Sequence, residues 1–91
     1  MIRKIEQESA TVTLYEDEYS RRIRLDDYSG DLSAVIRLIE NALPPWAEKL
    51  IVKGRPADVE SFKQNGYSEE AMIAGYFSGT DMYFLTRYFE P

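Results

Sequence analysis

The side chains able to do chemistry in this chain are carboxylates and tyrosines, because the sequence contains no histidine and no cysteine. Their absence removes the thiol nucleophile, the usual proton shuttle near neutral pH and the common zinc ligands. A general base would have to be a carboxylate or a tyrosine, and no pair is spaced in a way that assigns this role. The sequence therefore predicts no catalytic residue and no metal ligand.

An aspartate and two tyrosines near the C-terminus have the chemistry to orient an ammonium group. Asp81 would neutralise the charge, and the rings of Tyr76 and Tyr83 would offer cation–π contacts of about 0.5–2 kcal/mol. The alternative is structural: aromatic residues on paired strands pack across the sheet, and an aspartate beside Ser78-Gly79-Thr80 belongs to the turn. Both interpretations stay open at the level of the sequence.

Two other features carry charge. The acidic segment 16–18 together with Asp26 and Asp27 could bind a hard cation, but it lacks the spacing of a calcium loop, so a solvated charged face is preferred. Gly54 followed by Arg55 could hold a phosphate through free amides beside a guanidinium. The alternative for this second feature is an ordinary start of a helix.

Hydrophobic periodicity gives the elements of the first half. Apolar and polar residues alternate over 11–15 and 22–25, which predicts two half-exposed strands joined as a hairpin. From Asp31, a suitable N-cap, apolar residues recur at helical spacing until the prolines at 44–45. The short apolar run 50–52 predicts a central strand covered on both faces.

A second helix is predicted after this strand. Pro56 suits the first helical position, and Gly66 suits a left-handed residue at the helix end. A helix ending of this type would bring Phe62 and Tyr67 together. The last third, residues 70–77 and 81–89, predicts two aromatic-rich strands that pair as an antiparallel hairpin.

The resulting order is β-β-α-β-α-β-β. It predicts a single α/β (α+β) domain over residues 1–91, with two helices and a mixed, mostly antiparallel sheet.

Sixteen acidic residues against eleven basic ones give a net charge of −5, which argues against a nucleic-acid partner because phosphate backbones repel such a surface. The sequence has no apolar run that suggests a membrane partner or a signal peptide, and a cytoplasmic location is expected by default.

One segment carries a family resemblance. The passage from residue 49 to residue 89 resembles the second half of the GNAT acyltransferase fold, including a Phe-x-x-x-Gly-Tyr turn at 62–67. Residues 73–89 are similar to a Gly-Tyr-Phe-x-Gly-x-Asp-x-Tyr-Phe signature found near the N-terminus of β-lysine N-acetyltransferases. The chain therefore resembles the N-terminal domain of that family.

The resemblance implies a function for the full-length family protein. In that family a complete acetyl-CoA-binding domain follows this region, and the protein acetylates the side-chain amine of β-lysine to make a compatible solute. The implied partner is this attached C-terminal acetyltransferase domain, and the implied ligand is an amino-acid substrate. The residues expected to bind substrate, or to lie at the interface, are Tyr76, Gly79, Asp81 and Tyr83.

The chain departs from the family pattern at the coenzyme site. GNAT enzymes bind the coenzyme's pyrophosphate with a glycine-rich loop at a helix N-terminus, where backbone amides favour an anion. The matching segment here, residues 26–31, has three carboxylates and one glycine. Two negative groups about 5 Å apart repel by about 3 kcal/mol at an effective dielectric constant of 20. The prediction is that this chain binds no cofactor, acetyl-CoA included.

Two functions from different classes follow. The first is a non-catalytic GNAT-like domain that supports, or completes the substrate site of, an attached acetyltransferase domain. The second is a stand-alone interaction or homodimerisation module that uses the aromatic C-terminal hairpin. An independent small enzyme is the weakest interpretation, because no general base can be assigned.

Overall fold

The computed structural model describes residues 1–89. The described chain contains six strands, two α-helices and a short 3-10 turn at Pro56–Asp58. In chain order these are β1 (Ile2–Gln7), β2 (Ala10–Asp17), β3 (Arg22–Gly30), α1 (Leu32–Ala42), β4 (Lys49–Gly54), α2 (Val59–Gln64), β5 (Ser68–Ile73) and β6 (Met82–Tyr88). The predicted α+β class is therefore confirmed.

All six strands form one sheet in the order β1-β2-β3-β4-β6-β5. β3 and β4 are parallel, and every other neighbouring pair is antiparallel. The connection between the two parallel strands runs through α1, as expected for a crossover. The predicted mixed, mostly antiparallel sheet is confirmed, including the pairing of the last two strands.

β1 is missing from the predicted order. Its two apolar side chains, Ile2 and Ile5, are three positions apart, a spacing that does not alternate as strand residues do. The strand forms because its backbone pairs with β2 through a two-residue turn at Glu8 and Ser9. The strand therefore depends on backbone hydrogen bonds to β2, because its sequence has no alternating apolar pattern.

Both helices pack on one face of the sheet. The buried core joins apolar side chains of β2, β3, β4 and β6 to those of the helices; its largest fully buried members include Leu14, Ile23, Leu25, Ile39, Leu50, Phe62 and Leu85. The other face carries no helix in the described chain, and we call it the open face. The prediction that β4 is covered on both faces is therefore wrong, because Ile51 is only partly buried on the open face.

The helix ends match their predicted signals. The Asp31 carboxylate accepts the N–H of Ala34, which caps the start of α1. At the other end, Arg3 of β1 donates to the carbonyl of Ala42 at 2.8 Å, supplying a cation where the helix dipole favours one. α2 is followed by Gly66 in the left-handed region (φ +92°).

The C-terminal hairpin is shorter in its strands and longer in its connection than predicted. β5 ends at Ile73, and residues 74–81 form the connection. Within it, Phe77 and Thr80 exchange backbone hydrogen bonds around Ser78 and Gly79, which both have positive φ. β5 is also an edge strand, since β6 lies between it and β4.

Candidate functional site

The junction between β3 and α1 is where the sequence resemblance would locate a coenzyme pyrophosphate. Residues 26–30 are not a loop, because they continue β3 up to the residue before the N-cap of α1. A strand that runs directly into a helix leaves little free backbone to wrap around an anion. The expectation of a loop at this position is therefore corrected.

The carboxylates of this junction are dispersed and paired. Asp26 contacts both Arg24 and Lys53 on the open face, whereas Asp27 pairs with Arg55 at 3.2 Å. Burial disfavours the ionised form of Asp26, but the bonds and charges of Arg24 and Lys53 outweigh it and lower the pKa of Asp26. Asp26 and Asp27 thus each have a cation, and Asp31 accepts a helix N–H, so mutual repulsion is not the dominant electrostatic feature.

Acceptors from the chain itself occupy the start of α1. The N–H of Asp31 donates to the carbonyl oxygen of Ser9 at 2.9 Å, and the N–H of Ala34 donates to the Asp31 carboxylate at 3.0 Å. A Cβ added to Gly30 would collide with the same Ser9 oxygen. The turn between β1 and β2 is therefore packed against the helix start, and its carbonyl accepts the N–H of the N-cap residue.

β3 and β4 separate beyond their parallel pairing. The paired residues are Arg22–Leu25 with Lys49–Val52, and past this point the two strands share no ladder. A hydrogen-bonded group of four residues spans the gap, and we call it the Tyr28–Arg55 bridge. Its members are Asp27, Tyr28, Arg55 and Asp58.

The guanidinium of Arg55 binds two acceptors within this bridge, both through Nη2. It donates to the Tyr28 carbonyl at 2.5 Å and to Asp27 Oδ1 at 3.2 Å, and it lies 4.2 Å from the centre of the Tyr28 ring. The backbone N–H of Arg55 donates to the Tyr28 hydroxyl at 3.1 Å. The phosphate-binding interpretation of Gly54 and Arg55 is therefore not supported, because the groups it needs bind the chain's own acceptors.

A second polar cluster lies on the open face and joins three strands to the connection 74–81. Lys53 Nζ is 3.3 Å from Asp26 Oδ1 and donates to the Tyr76 hydroxyl at 3.1 Å. The same ammonium lies 5.5 Å from the centre of the Tyr76 ring, and Arg24 lies 5.0 Å from that of Tyr15. We call Asp26, Arg24, Lys53, Tyr15 and Tyr76 the Asp26 cluster. Its tyrosine rings and carboxylate already hold two cations of the chain.

The structure separates the residues predicted to bind a ligand. Tyr76 is half-exposed on the open face beside Lys53, whereas Tyr83 packs against the core on the helix face. Asp81 accepts the backbone N–H of Gly75 at 3.1 Å, which is the role of a turn residue. A Cβ added to Gly79 (φ +100°) would meet no atom within 4 Å beyond its chain neighbours, so the surroundings of this residue are open.

Sequence reasoning did not identify Arg24, Lys53 and Tyr28 as members of these polar clusters. Strand alternation is a usable signal for Arg24 and Asp26, since residues two apart share a face. No local signal points to Lys53 with Tyr76, because 23 residues separate them. Tyr28 and Asp58 are 30 residues apart and meet only through the crossover.

Within the described residues the structure shows neither a group of metal-ligating side chains nor a membrane-spanning helix. Within residues 1–89, no group of three or more Asp and Glu side chains is placed to hold a metal ion. The acidic segment 16–18 is divided instead between separate ion pairs, Glu16 with Arg3 and Asp17 with Arg22. Neither α1 nor α2 is long and apolar enough to cross a bilayer.

Comparison with known proteins identifies relatives of this fold. No family model matches the chain. The chain is 27% identical over 89 residues to the N-acetyltransferase YodP of Bacillus subtilis (strain 168), which corresponds to 97% of this chain and 32% of that protein. The chain therefore spans about a third of the length of the curated relative it matches.

Solved acetyltransferases share the architecture. A crystal structure of an acetyltransferase from Bacillus cereus ATCC 14579 superposes with a TM-score of 0.69 at 16% identity, covering 98% of this chain and 72% of that one. A Bacillus subtilis acetyltransferase in complex with CoA superposes with a TM-score of 0.68 at 13% identity, covering 93% of this chain and 72% of that one. A spermidine N-acetyltransferase from Vibrio cholerae superposes with a TM-score of 0.66 at 11% identity, covering 93% of this chain and 63% of that one. At these identities the comparison establishes a shared fold.

Proposed function

Because the chain has the GNAT acetyltransferase fold, we propose that it is a non-catalytic domain of a β-lysine N-acetyltransferase. In this proposal an attached catalytic domain uses acetyl-CoA to acetylate the side-chain amine of β-lysine, a step in compatible-solute synthesis. The present domain supports that catalytic domain or completes its substrate site. The distant N-acetyltransferase relative, of which the match spans 32%, supports a role within a larger protein.

The observation that carries the non-catalytic role is the occupied start of α1. A coenzyme pyrophosphate needs several backbone amides pointing at one anion. Here the amides of Asp31 and Ala34 are already bonded, and the Ser9 carbonyl presents an acceptor to the same space. An acceptor oxygen repels a phosphate oxygen, so coenzyme binding would require the turn between β1 and β2 to move away.

The Tyr28–Arg55 bridge supports the same conclusion. A ligand chain that entered between the separated ends of β3 and β4 would have to displace the Arg55 guanidinium from the Tyr28 carbonyl. Charged hydrogen bonds of this kind contribute about 1.5–3 kcal/mol each, so displacement is costly. The gap between the strands is thus filled by the chain's own residues.

The proposed contact with substrate lies in the connection 74–81. Tyr76 is half-exposed there, and the surroundings of Gly79 are open to a ligand. Asp81 adds a carboxylate next to this turn, whereas Tyr83 packs against the core on the helix face. β-Lysine carries two ammonium groups, and a carboxylate beside an exposed aromatic ring is a surface that attracts an ammonium group.

The experiment is an NMR titration of the ¹⁵N-labelled chain with acetyl-CoA and, separately, with β-lysine. Acetyl-CoA is expected to leave the amides of Leu32 and Ser33 unshifted up to millimolar concentration. β-Lysine is expected to shift Tyr76, Gly79 and Asp81. Saturable acetyl-CoA binding at the start of α1, with acetyl-β-lysine detected by mass spectrometry, would refute the proposal.

A second candidate, a stand-alone interaction or homodimerisation module, is favoured by one observation. All six residues of β5 are exposed, including Met72 and Ile73, and Tyr88 of β6 is 63% exposed. An edge strand with exposed apolar side chains is a site where another chain can pair. Light scattering at low micromolar concentration separates the candidates: a persistent dimer favours this module, and a monomer favours the supporting domain.

A further inference from the structure

An asparagine followed by a glycine lies at the end of α2. Asn65 is the C-cap of this helix, and Gly66 follows it in the left-handed region with φ +92°. Both residues are exposed to solvent. Asparagine is among the thermolabile residues, and a glycine has no Cβ to shield its backbone nitrogen from a neighbouring side chain. The pair is therefore a candidate for modification of the side-chain amide by the chain itself.

The reaction that fits this pair is deamidation, which needs only water. The Gly66 nitrogen gives its proton to solvent and attacks Cγ of Asn65, so that an N–Cγ bond forms in a five-membered imide. The Cγ–Nδ2 bond breaks, and the leaving nitrogen takes up a proton and departs as ammonia. Water then opens the imide at either of its two carbonyls. One opening leaves aspartate, and the other leaves isoaspartate, in which the main chain runs through Cγ.

The folded helix end holds the Asn65 side chain away from this reaction. Its ψ is 19°. Cβ and N of a residue are a third of a turn apart about the Cα–C bond, as on any tetrahedral carbon, so this ψ leaves Cβ far from the Gly66 nitrogen. Closure of the imide needs these two atoms eclipsed. In addition, Nδ2 of Asn65 donates to the Ser61 carbonyl at 2.8 Å, which turns the side chain back along the helix.

Two hydrogen bonds of a Schellman ending fix this backbone conformation. The N–H of Gly66 donates to the carbonyl of Lys63 at 3.1 Å. The N–H of Tyr67 donates to the carbonyl of Phe62 at 3.1 Å, and their ring centres lie 5.2 Å apart in the core. A rotation of ψ at Asn65 carries the following residues away from the helix. The reactive conformation therefore breaks both hydrogen bonds and unpacks the Tyr67 ring.

Opening this end does not require the whole protein to unfold. α2 has six residues, fewer than an isolated helix needs to be stable in water. Its last two residues, Lys63 and Gln64, are exposed, as are Asn65 and Gly66. Helix ends with exposed backbone open locally at a lower cost in free energy than global unfolding. Fraying of α2 thus gives access to the reactive conformation.

From this sequence and geometry we propose that Asn65 is a deamidation site and that the C-terminal end of α2 controls its rate. When the helix end is closed Asn65 is inert, and when it is open Gly66 attacks it. The inference does not depend on the proposed acetyltransferase role.

Either product weakens the helix end that protected the asparagine. Isoaspartate adds a carbon to the main chain before Gly66, inside both rings closed by the Schellman hydrogen bonds. Aspartate loses the Nδ2 donor to Ser61 and places a negative charge at a helix C-terminus, where the dipole disfavours it. The modified chain, separated by its additional negative charge, should therefore melt at a lower temperature than the unmodified chain.

The test compares the full chain with a synthetic peptide of residues 61–69, which has the same local sequence but is too short to form a stable helix. Both are incubated in the same neutral buffer. Intact-mass measurement detects exchange of the amide nitrogen for oxygen, and electron-transfer fragmentation locates the site and separates isoaspartate from aspartate. We expect the folded chain to react at least about tenfold more slowly than the peptide. Asn41 is the internal control, because the Cβ of Ala42 hinders attack there, and it should stay unmodified.

Two variants separate control by this helix end from general instability. Arg87→Ala removes a guanidinium that donates to the Asn65 carbonyl at 3.4 Å and lies 5.9 Å from the centre of the Tyr67 ring. It leaves the sequence around Asn65 unchanged and should speed deamidation by at least about threefold. Gly30→Ala is the control, since it destabilises the protein through its contact with Ser9. Its rate should stay within about twofold of the unmodified chain.

Each other outcome contradicts the proposal. It is overturned if the folded chain reacts as fast as the peptide, if neither reacts, or if Asn41 reacts as fast as Asn65. It is also overturned if Arg87→Ala leaves the rate unchanged, or if Gly30→Ala accelerates the reaction more than Arg87→Ala, because global unfolding would then control it. If Gly30→Ala does not fold by circular dichroism, Gly79→Ala replaces it, since an added Cβ there has open surroundings.

Discussion

The hydroxyl of Tyr28 donates to Asp58 Oδ2 at 2.6 Å while accepting the backbone N–H of Arg55 at 3.1 Å. One buried side chain of β3 thereby fixes the start of the segment that follows β4. The ring also packs edge-on against Phe62, with 5.8 Å between ring centres. Tyr28 thus connects the hydrophobic core to the polar bridge that fills the gap between the strands.

Removing the Tyr28 hydroxyl should destabilise the protein while leaving its core packing intact. In Tyr28→Phe, the Asp58 carboxylate and the Arg55 N–H lose a buried partner, so the free energy of unfolding should fall by about 1–2 kcal/mol. Urea denaturation monitored by circular dichroism measures it. Tyr88→Phe is the matched control: its hydroxyl is 3.4 Å from Glu70 on an exposed residue, and a change below about 0.5 kcal/mol is expected. Equal effects of the two changes would contradict the assigned role of Tyr28.

Stability should fall in alkali as tyrosines titrate in the unfolded chain. Burial, helped by the nearby Glu40 carboxylate, raises the pKa of Tyr67 to about 12. Burial and the hydrogen bond to Asp58 likewise raise the pKa of Tyr28. Because the folded state holds these protons more tightly, their contribution is complete below the ordinary tyrosine pKa of 10.0 and is lost as the pH rises above it. Thermal melting between pH 8 and 11 measures how steeply the melting temperature falls with pH. Tyr67→Phe should make this fall less steep.

A side chain at residue 30 should be poorly tolerated. Gly30 has φ +103°, and an added Cβ would collide with the Ser9 carbonyl. Gly30→Ala should therefore cost about 2–4 kcal/mol, from left-handed backbone strain together with the displaced turn. Gly79 has nearly the same φ but open surroundings, so Gly79→Ala should cost only about 1 kcal/mol from strain alone. Urea denaturation of both variants measures the loss in the free energy of unfolding. A smaller loss for Gly30→Ala than for Gly79→Ala would show that the turn between β1 and β2 does not pack against residue 30.

The Asp26 cluster should contribute to stability in a pH-dependent way. Since the folded state lowers the pKa of Asp26, its contribution is present above the ordinary aspartate value of 3.8 and is lost as the pH falls through the folded-state value. Asp26→Asn should cost about 1 kcal/mol at pH 7, and the difference from the unmodified chain should disappear in acid.

Asp27→Asn provides the control for Asp26, because the Asp27 side chain is 76% exposed. Its effect at pH 7 should stay below about 0.5 kcal/mol. Thermal melting from pH 2.5 to 7 compares the two variants. A difference for Asp26→Asn that stays constant over this range would show that the ionised carboxylate contributes nothing, and that packing alone is responsible.

The comparison of Gly66 with Ser9 shows how far sequence reasoning reaches. A glycine after a short helix predicts a left-handed helix end and the meeting of Phe62 with Tyr67, whose ring centres lie 5.2 Å apart. No residue near Ser9 predicts that its carbonyl accepts the N–H of Asp31, because the two meet only when β2 and β3 pair, next to the pair Ala10–Gly30. The prediction that no coenzyme binds at this helix start rests on repulsion between carboxylates, and the structure adds that the N–H of Asp31 already has an acceptor.

The sequence by itself determined the helices, their caps, the hairpin of β2 and β3, and the antiparallel C-terminal pair. These features depend on the period of apolar residues and on the backbone preferences of Pro44, Gly66 and Asp31, which act over a few neighbouring positions. Only the tertiary structure decided that β1 joins the sheet, that Arg55 bridges the separated strands, and that Lys53 binds Tyr76. The last two contacts join residues up to 28 positions apart. A local sequence pattern cannot predict them, because the order of the strands in the sheet decides which distant groups come together.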